Sequence, residues 1–159
     1  METVSSVVAL LAAVALGLTT GALLAEGAIL VPFWRSLPSE NFLSWYQLHA
    51  ALLQQFFGPL EVAAAILTAV AAALSRVSAD RRNLFPVMAT LFAVAVLAVF
   101  PIYFQRVNTS FAAGTIAADR VAEELRRWSS WHWFRTVMAM AAFVFSLAAL
   151  IGRRCGVCQ

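Results

Sequence analysis

Four long apolar segments constrain the fold of this chain more than any other feature. They cover residues 5–33, 50–74, 84–105 and 131–151 of a chain of 159. A helix needs about 20 mainly apolar residues to cross a hydrocarbon core of about 30 Å, so each segment is long enough to span a membrane. Hydrophobic residues make up 62% of the chain and charged residues 12%, which excludes an ordinary soluble domain. The sequence predicts an all-α fold, an integral membrane four-helix bundle that forms a single domain over residues 1–159.

The polar stretches between these segments set the expected helix boundaries and topology. We expect helices at about 5–33, 41–74, 84–106 and 130–152. Acids and arginines alternate over residues 115–128, which predicts a short amphipathic helix in the loop between helices three and four. An even number of spans places both termini on the same side of the membrane. The first segment lacks the basic start of a signal peptide, so we expect it to remain as a membrane helix.

All the basic residues are arginines, and they lie near the predicted helix ends. This distribution favours anchoring at lipid headgroups over nucleic-acid binding. The positive-inside count is a tie, with five arginines on each side. The arginines are denser in the shorter loop after helix two and in the tail, which favours cytoplasmic termini, and a bacterial inner membrane is the expected location. The expected partners are the lipid bilayer and a lipophilic small molecule, with no nucleic acid, and the oligomeric state stays open.

The start of the last apolar segment carries the most informative pattern. Trp128, His132 and Arg135 are spaced i, i+4 and i+7, so they share one stripe of a helix. The stripe continues with small residues at 139, 142, 146 and 149. Membrane helices place small residues at helix contacts and turn ionisable groups inward. We therefore expect His132 and Arg135 to point into the bundle.

Small residues on helix one also form stripes. One contains Gly17, Gly21, Ala25 and Ala28, in the Gly-x-x-x-Gly manner, and the other contains Ala12, Ala15, Thr19, Ala22 and Glu26. Both stripes predict close packing, on two sides of the helix.

Polar residues gather at one end of the predicted bundle. In an antiparallel bundle the late part of helices one and three meets the early part of helices two and four. That end collects Glu26, His49, Gln54, Tyr103, Gln105, Asn108, His132 and Arg135. Buried ionisable groups are costly in lipid, so a one-sided set is by default a functional-site hypothesis. Glu61 lies about 18 Å of helix beyond His49 and is expected to form the floor of the site.

Three chemical interpretations of this end stay open. A His or Glu base with a nearby Arg suits acid–base chemistry in an apolar pocket. A metal such as iron, zinc or copper is a second option, with His49, His132, Glu26 and Glu61 as candidate ligands. No helix carries the Glu-x-x-His pair of carboxylate-bridged bundle sites, so the sequence requires no cofactor. The third option is structural: buried ion pairs that fix helix register.

Two cysteines, Cys155 and Cys158, form a Cys-x-x-Cys pair in the tail. Such a pair could be a redox centre, but it has no second pair and no neighbouring His, so a bystander role is favoured.

Several short motifs resemble the anthrone oxygenase-like family of small four-helix membrane proteins, most of which have no assigned function. They are the Gly-rich first helix running into residues 31–38, the approach to His49, the Asn108 region, and Trp128 with His132 and Arg135. The resemblance covers most of the chain except the Cys tail. It implies oxidation of an anthrone or hydroquinone-like substrate by dioxygen, without an obvious organic cofactor.

That activity would give each polar residue a role. His132 or Glu26 would act as the base, and Arg135 with Asn108 or Tyr103 would stabilise the substrate anion. Four further residues would contact the substrate: Trp128, His49, Gln54 and Gln105. The alternative is a non-catalytic membrane protein, such as an accessory, lipid-binding or transport component, in which the polar residues are structural.

Overall fold

The computed structural model describes residues 2–77 and 83–156, with side chains as far as residue 152. The thiol pair predicted at Cys155 and Cys158 lies outside the described side chains. In the described part of the chain the fold is all-α, as predicted from the four apolar segments.

Four helices, each long and apolar enough to cross a membrane, make up the described chain. They are α1 (Glu2–Ser36), α2 (Ser39–Val77), α3 (Phe85–Ala112) and α4 (Ala118–Gly156). Each helix packs mainly against its neighbours in sequence, and α4 closes the ring against α1. The result is an up-down-up-down four-helix bundle, and it confirms the predicted architecture of an integral membrane protein.

Helix α4 begins earlier than predicted. The stretch predicted as a separate amphipathic helix forms the first turns of α4, so a separate short helix is not confirmed. The reason is local: residues 118–151 contain neither Gly nor Pro, so nothing interrupts the helix there. The chain turns before it, at Gly114, whose φ of 63° suits a residue without a Cβ.

Helices α1 and α3 each contain one turn of π-helix, which the sequence analysis did not predict. These turns cover Glu26–Leu30 and Phe100–Phe104. Pro32 follows the first turn by two residues and Pro101 lies within the second, and a proline lacks the N–H that a regular α-helix would use. π turns are frequent at functional sites, and these two both carry residues of the site described below.

The inner faces of the bundle agree with most of the predicted stripes. All seven residues of the α4 stripe are buried: Trp128, His132, Arg135, Ala139, Ala142, Ser146 and Ala149. On α1, the stripe that ends at Glu26 faces the bundle, and α1 packs against two helices, α2 and α4. In the other stripe Gly17 lies close to Phe143 of α4, whereas Gly21, Ala25 and Ala28 are exposed, so that stripe is not a packing face along its whole length.

Large aromatic residues fill the end of the bundle where α1 and α3 finish. We call this buried group the aromatic cap, and it consists of Val31, Trp34, Phe42, Tyr46, Val99, Phe104, Val107, Phe111, Val121, Leu125 and Trp128. Its rings meet mainly edge to face, as in the contact between Trp34 and Trp128 at 5.4 Å. The cap separates the ionisable residues below it from the water at that end.

Candidate functional site

Four ionisable side chains meet beneath the aromatic cap. We call Glu26, Glu61, His132 and Arg135 the ionisable cluster. Helix α1 supplies Glu26, α2 supplies Glu61, and α4 supplies both His132 and Arg135. All four are buried, with His132 at 0% exposure and the other three at 5%. Burying four ionisable groups in a membrane helix bundle is costly, so their mutual contacts decide whether the arrangement is stable.

His132 is tied to the backbone of α1. Its Nε2 lies 2.9 Å from the carbonyl oxygen of Leu23. Because a carbonyl only accepts, Nε2 carries the proton in this contact and Nδ1 is free to accept. The Nη2 of Arg135 lies 3.4 Å from Nδ1, and the Oε2 of Glu26 lies 3.5 Å from it. The imidazole is therefore fixed in orientation, with its basic nitrogen turned towards the other charged groups.

Arg135 joins the two carboxylates. Its Nη2 donates to Oε2 of Glu26 at 3.3 Å, and its Nη1 lies 3.3 Å from Oε1 of Glu61. The guanidinium also lies over the ring of Phe104, 4.5 Å from the centroid. Cation–π contact of this kind is worth more when the cation is desolvated. Arg135 is thus held by three different helices.

The formal charges of the cluster do not balance. Two ionised carboxylates face one guanidinium, and the imidazole is neutral in the tautomer described above. The cluster is neutral only when one further proton is present, on a carboxylate or on His132. An uncompensated charge is expensive in this environment, which makes the cluster a place where a proton can be held.

Two polar atoms of the cluster have no hydrogen-bond partner. They are Oε1 of Glu61, which lies near Nη1 of Arg135 without hydrogen-bond geometry, and Nε of Arg135. One is an acceptor and the other a donor, and both are buried. Unsatisfied buried polar atoms carry a desolvation cost of about 1–3 kcal/mol each, so this pair could accept a polar group of a ligand.

The π turn of α1 explains how His132 reaches the backbone. Gly27 lies within this turn, and a Cβ built on it would be 3.0 Å from Nε2 and 3.1 Å from Cδ2 of His132. A glycine at this position allows the imidazole to lie against α1. Sequence reasoning did not identify Gly27, because nothing in the sequence distinguishes it from the other small residues of α1.

Aromatic residues form the wall above the cluster. The indole of Trp128 stacks on His132 with a centroid distance of 5.1 Å and an interplanar angle of 7°. Its Nε1 donates to Oδ1 of Asn108 at 2.9 Å. Asn108 thereby orients Trp128, and the structure records no contact between Asn108 and the cluster itself.

Tyr103 lies further out. Its hydroxyl donates to Oε1 of Glu124 at 2.7 Å, and its ring stacks on Trp131 at 5.2 Å. The glutamate comes from the first turns of α4, which the sequence analysis predicted as a separate amphipathic helix.

Three of the predicted substrate-contacting residues lie away from the cluster. His49 stacks on Trp45 at 4.2 Å, and its Nδ1 is 2.7 Å from the Trp45 carbonyl on the same helix. Gln54 and Gln105 are exposed. The structure therefore brings together His132, Arg135, Glu26 and Glu61 of the predicted set, with Trp128 and Asn108 beside them. Glu61 lies in contact with Arg135, 3.3 Å from its Nη1.

The sequence analysis missed three contributors besides Gly27. Phe104 supports Arg135, Thr136 has its Oγ1 3.4 Å from Nε2 of His132, and the Leu23 carbonyl anchors that ring. Thr136 follows His132 by four residues, a spacing that could have placed it beside the ring. The other two come from neighbouring helices, and no local pattern marks them.

Metal binding finds little support in this donor set. Among the described residues no group of three or more His, Cys, Asp or Glu side chains could hold a metal ion. Arg135 lies between the two carboxylates, where a bound cation would have to be. His49, one of the four candidate ligands, has its recorded partners on its own helix.

Two pockets stand out in the structure, and neither is lined by the cluster. A small one of about 20 Å³ lies between small residues at the opposite end of the bundle, next to Ala12 and Ser146. A larger one of about 220 Å³ lies outside the aromatic cap, next to Trp34 and Arg126. The cluster is buried, at 5% exposure or less, and neither of these two pockets opens onto it.

The fold and the site define an integral membrane helix bundle with a buried, charge-unbalanced cluster in one half. Comparison of the chain with known protein families, curated proteins and solved structures finds no match. The functional argument therefore depends on the site itself and on the resemblance described above.

Proposed function

We propose that this protein is a membrane oxidoreductase that oxidises a flat, lipophilic anthrone- or hydroquinone-like substrate with dioxygen. The observation that carries the proposal is the ionisable cluster, which combines a fixed imidazole, a guanidinium and one carboxylate more than the guanidinium can balance. The resemblance to anthrone oxygenases supplies the reaction class.

The cluster offers a place for the reacting oxygen of such a substrate. Oε1 of Glu61 lies 3.3 Å from Nη1 of Arg135 but has no hydrogen-bond partner, so it can accept a phenolic O–H. Nε of Arg135, which also has no hydrogen-bond partner, can donate to the oxyanion that forms. Groups that stabilise a developing anion in a water-poor site are usually the largest contribution to catalysis. His132, through Nδ1, or Glu26 would take the proton.

The reaction balances with dioxygen as the oxidant. A hydroquinone would pass two electrons and two protons to dioxygen, which gives a quinone and hydrogen peroxide, whereas an anthrone is oxygenated at carbon. The base removes a proton from the activated CH2 group of an anthrone, and the carbanion adds dioxygen to form a peroxide, which takes the proton back. Loss of water then converts the carbon to a carbonyl. One oxygen atom enters the product and the other leaves as water, so dioxygen supplies the four-electron oxidation of CH2 to C=O. Apolar surroundings, such as the aromatic cap, concentrate both the substrate and dioxygen.

The enclosure of the cluster favours a second candidate function. Every charged member has an opposite charge within 3.5 Å, and neither described pocket reaches it. A non-catalytic membrane protein would use the same contacts to fix α1, α2 and α4 in register. Under the oxidoreductase proposal the substrate must enter by movement of the cap or between helices.

Oxygen uptake by the purified protein tests the two candidates. The protein in a neutral detergent is mixed with a panel of anthrones and hydroquinones, and uptake is corrected for spontaneous oxidation. We expect catalysed uptake that falls by about 100-fold or more in His132→Asn and Arg135→Lys, the size expected for loss of a general base or an anion-stabilising group. His49→Asn is the matched control, because this histidine lies off the cluster.

Two results would contradict the oxidoreductase proposal. One is uptake that stays unchanged in folded His132 and Arg135 variants. The other is no uptake above background by the unmodified protein with any substrate of the panel, which would favour the non-catalytic function.

A further inference from the structure

The larger pocket lies at the end of the bundle where α1 passes into α2. The first turns of α4 form its other side. Its volume is about 220 Å³. Trp34, Phe42 and Leu125 of the aromatic cap form its apolar floor. The pocket lies just beyond the apolar part of α1, at the level expected for lipid headgroups.

Two arginines line this pocket, one from each side. Arg35 belongs to the last turn of α1, and Arg126 belongs to the amphipathic start of α4. Both are exposed, and within the described part of the chain neither has an ion-pair partner. The nearby acids Glu123 and Glu124 are paired with Arg127, at 3.5 and 3.2 Å. The positive charge in the pocket is therefore not neutralised by these acids.

The start of α2 adds uncharged donors to the same pocket. Ser39, the first residue of α2, lines it. The N–H of Phe42 donates to the carbonyl of Pro38 at the start of α2. The N–H groups of the residues before Phe42 therefore lie at the N-terminus of a 39-residue helix, where the helix itself offers them no acceptor. Helix N-termini favour anions through these N–H groups and the helix dipole.

One buried donor beside the pocket is unsatisfied. The indole Nε1 of Trp34 has no hydrogen-bond partner, although the residue is only 2% exposed. A buried N–H without a partner is uncommon, and Trp34 is one of the residues that line this pocket.

We propose that this pocket binds the phosphate group of an anionic membrane lipid. Arginine pairs and helix N-termini are the groups that recognise phosphate in proteins, and the apolar floor suits the start of an acyl chain. Free phosphate would use the arginines but would leave the floor uncovered. This inference does not depend on the oxidation proposed above.

Calorimetric titration of the full chain in a neutral detergent tests the proposal. The probes are dihexanoyl phosphatidylglycerol, dihexanoyl phosphatidylcholine and inorganic phosphate. We expect the anionic lipid to bind at least about tenfold more tightly than either other probe. The Arg35→Gln/Arg126→Gln variant is expected to lose at least about tenfold in affinity for it, since two charge-assisted contacts disappear.

The Arg106→Gln/Arg120→Gln variant is the control, because it removes two exposed arginines that do not line the pocket. An equal loss of affinity in this control would overturn the proposal, since it would show general attraction to positive charge. Equal binding of the two lipids would overturn it as well, and equal binding of inorganic phosphate would overturn the assignment to a lipid. If the double pocket variant does not fold, Arg35→Gln and Arg126→Gln are compared singly with Arg120→Gln.

Discussion

The contact between Gly27 and His132 gives the sharpest test of the site geometry. Replacing Gly27 by Ala adds a Cβ that would lie 3.0 Å from Nε2 of His132 and 3.2 Å from Cζ2 of Trp133. The imidazole cannot move away easily, because Trp128 stacks on its face. We expect it to be displaced from the Leu23 carbonyl.

The expected magnitude follows from three contributions. Alanine stabilises a helix by about 1 kcal/mol relative to glycine. Overpacking of a close contact costs about 1–3 kcal/mol. Loss of the hydrogen bond leaves a buried polar group unsatisfied, at about 1–3 kcal/mol. The two costs exceed the gain, so Gly27→Ala should lower the free energy of unfolding by about 1–5 kcal/mol.

Gly21→Ala is the matched control in the same helix. Gly21 is exposed, and a Cβ there would meet nothing within 4 Å. We expect this variant to be unchanged or more stable by up to about 1 kcal/mol. Both variants are unfolded by denaturant titration in the same detergent, followed by helical circular dichroism. Equal stability of Gly27→Ala and Gly21→Ala would refute the proposed contact between α1 and His132.

Three further predictions concern the cluster and its wall. Arg135→Met should lower the free energy of unfolding by about 3–5 kcal/mol, because it leaves Glu26 and Glu61 without a counter-charge. A smaller loss in the same denaturant titration would show that the carboxylates are already neutral. Trp128→Phe should lower the free energy of unfolding by about 1 kcal/mol more than the lost packing area explains, because the hydrogen bond to Asn108 disappears. In a double-mutant cycle Asn108→Ala should then lower it little further, and simple additivity of the two changes would contradict this coupling. Elemental analysis of the purified protein should give well below one transition metal per chain, and stoichiometric metal would disprove the role of Arg135 as the counter-ion of the carboxylates.

The sequence was sufficient to predict the membrane bundle and the inward face of α4. Both depend on short-range patterns, which are the length of apolar segments and the i, i+4, i+7 spacing of Trp128, His132 and Arg135. Burial of the whole stripe confirms the prediction that ionisable residues turn inward. The meeting of Glu26 and Glu61 with this face of α4 could also be predicted, because the antiparallel arrangement decides which helix ends lie together.

The sequence was insufficient where distant backbone geometry decides the outcome. The π turns shift the register of α1 and α3, and this shift cannot be calculated from the spacing of apolar residues. Gln54 precedes Glu61 by seven residues, a spacing that places both on one helix face, yet Gln54 is exposed and Glu61 is buried. The same limit applies to Phe104, whose contact with Arg135 joins separate helices.

The second carboxylate distinguishes catalysis from a structural role. A helix-fixing ion pair needs one acid for one arginine, and Glu26 already fills that place through its bond to Arg135. Glu61 links α2 to Arg135, but its Oε1 has no hydrogen-bond partner, so this second buried carboxylate adds little net stability. Glu61→Gln should therefore change the free energy of unfolding by less than about 1 kcal/mol, or raise it, while oxygen uptake falls sharply. Glu26→Gln, measured beside it, also leaves one carboxylate for Arg135 but weakens a charge-assisted hydrogen bond and the contact with His132, so it should lose about 1–3 kcal/mol. If Glu61→Gln instead destabilises the protein as much as Glu26→Gln does and leaves uptake intact, the carboxylate is structural and the site is not catalytic.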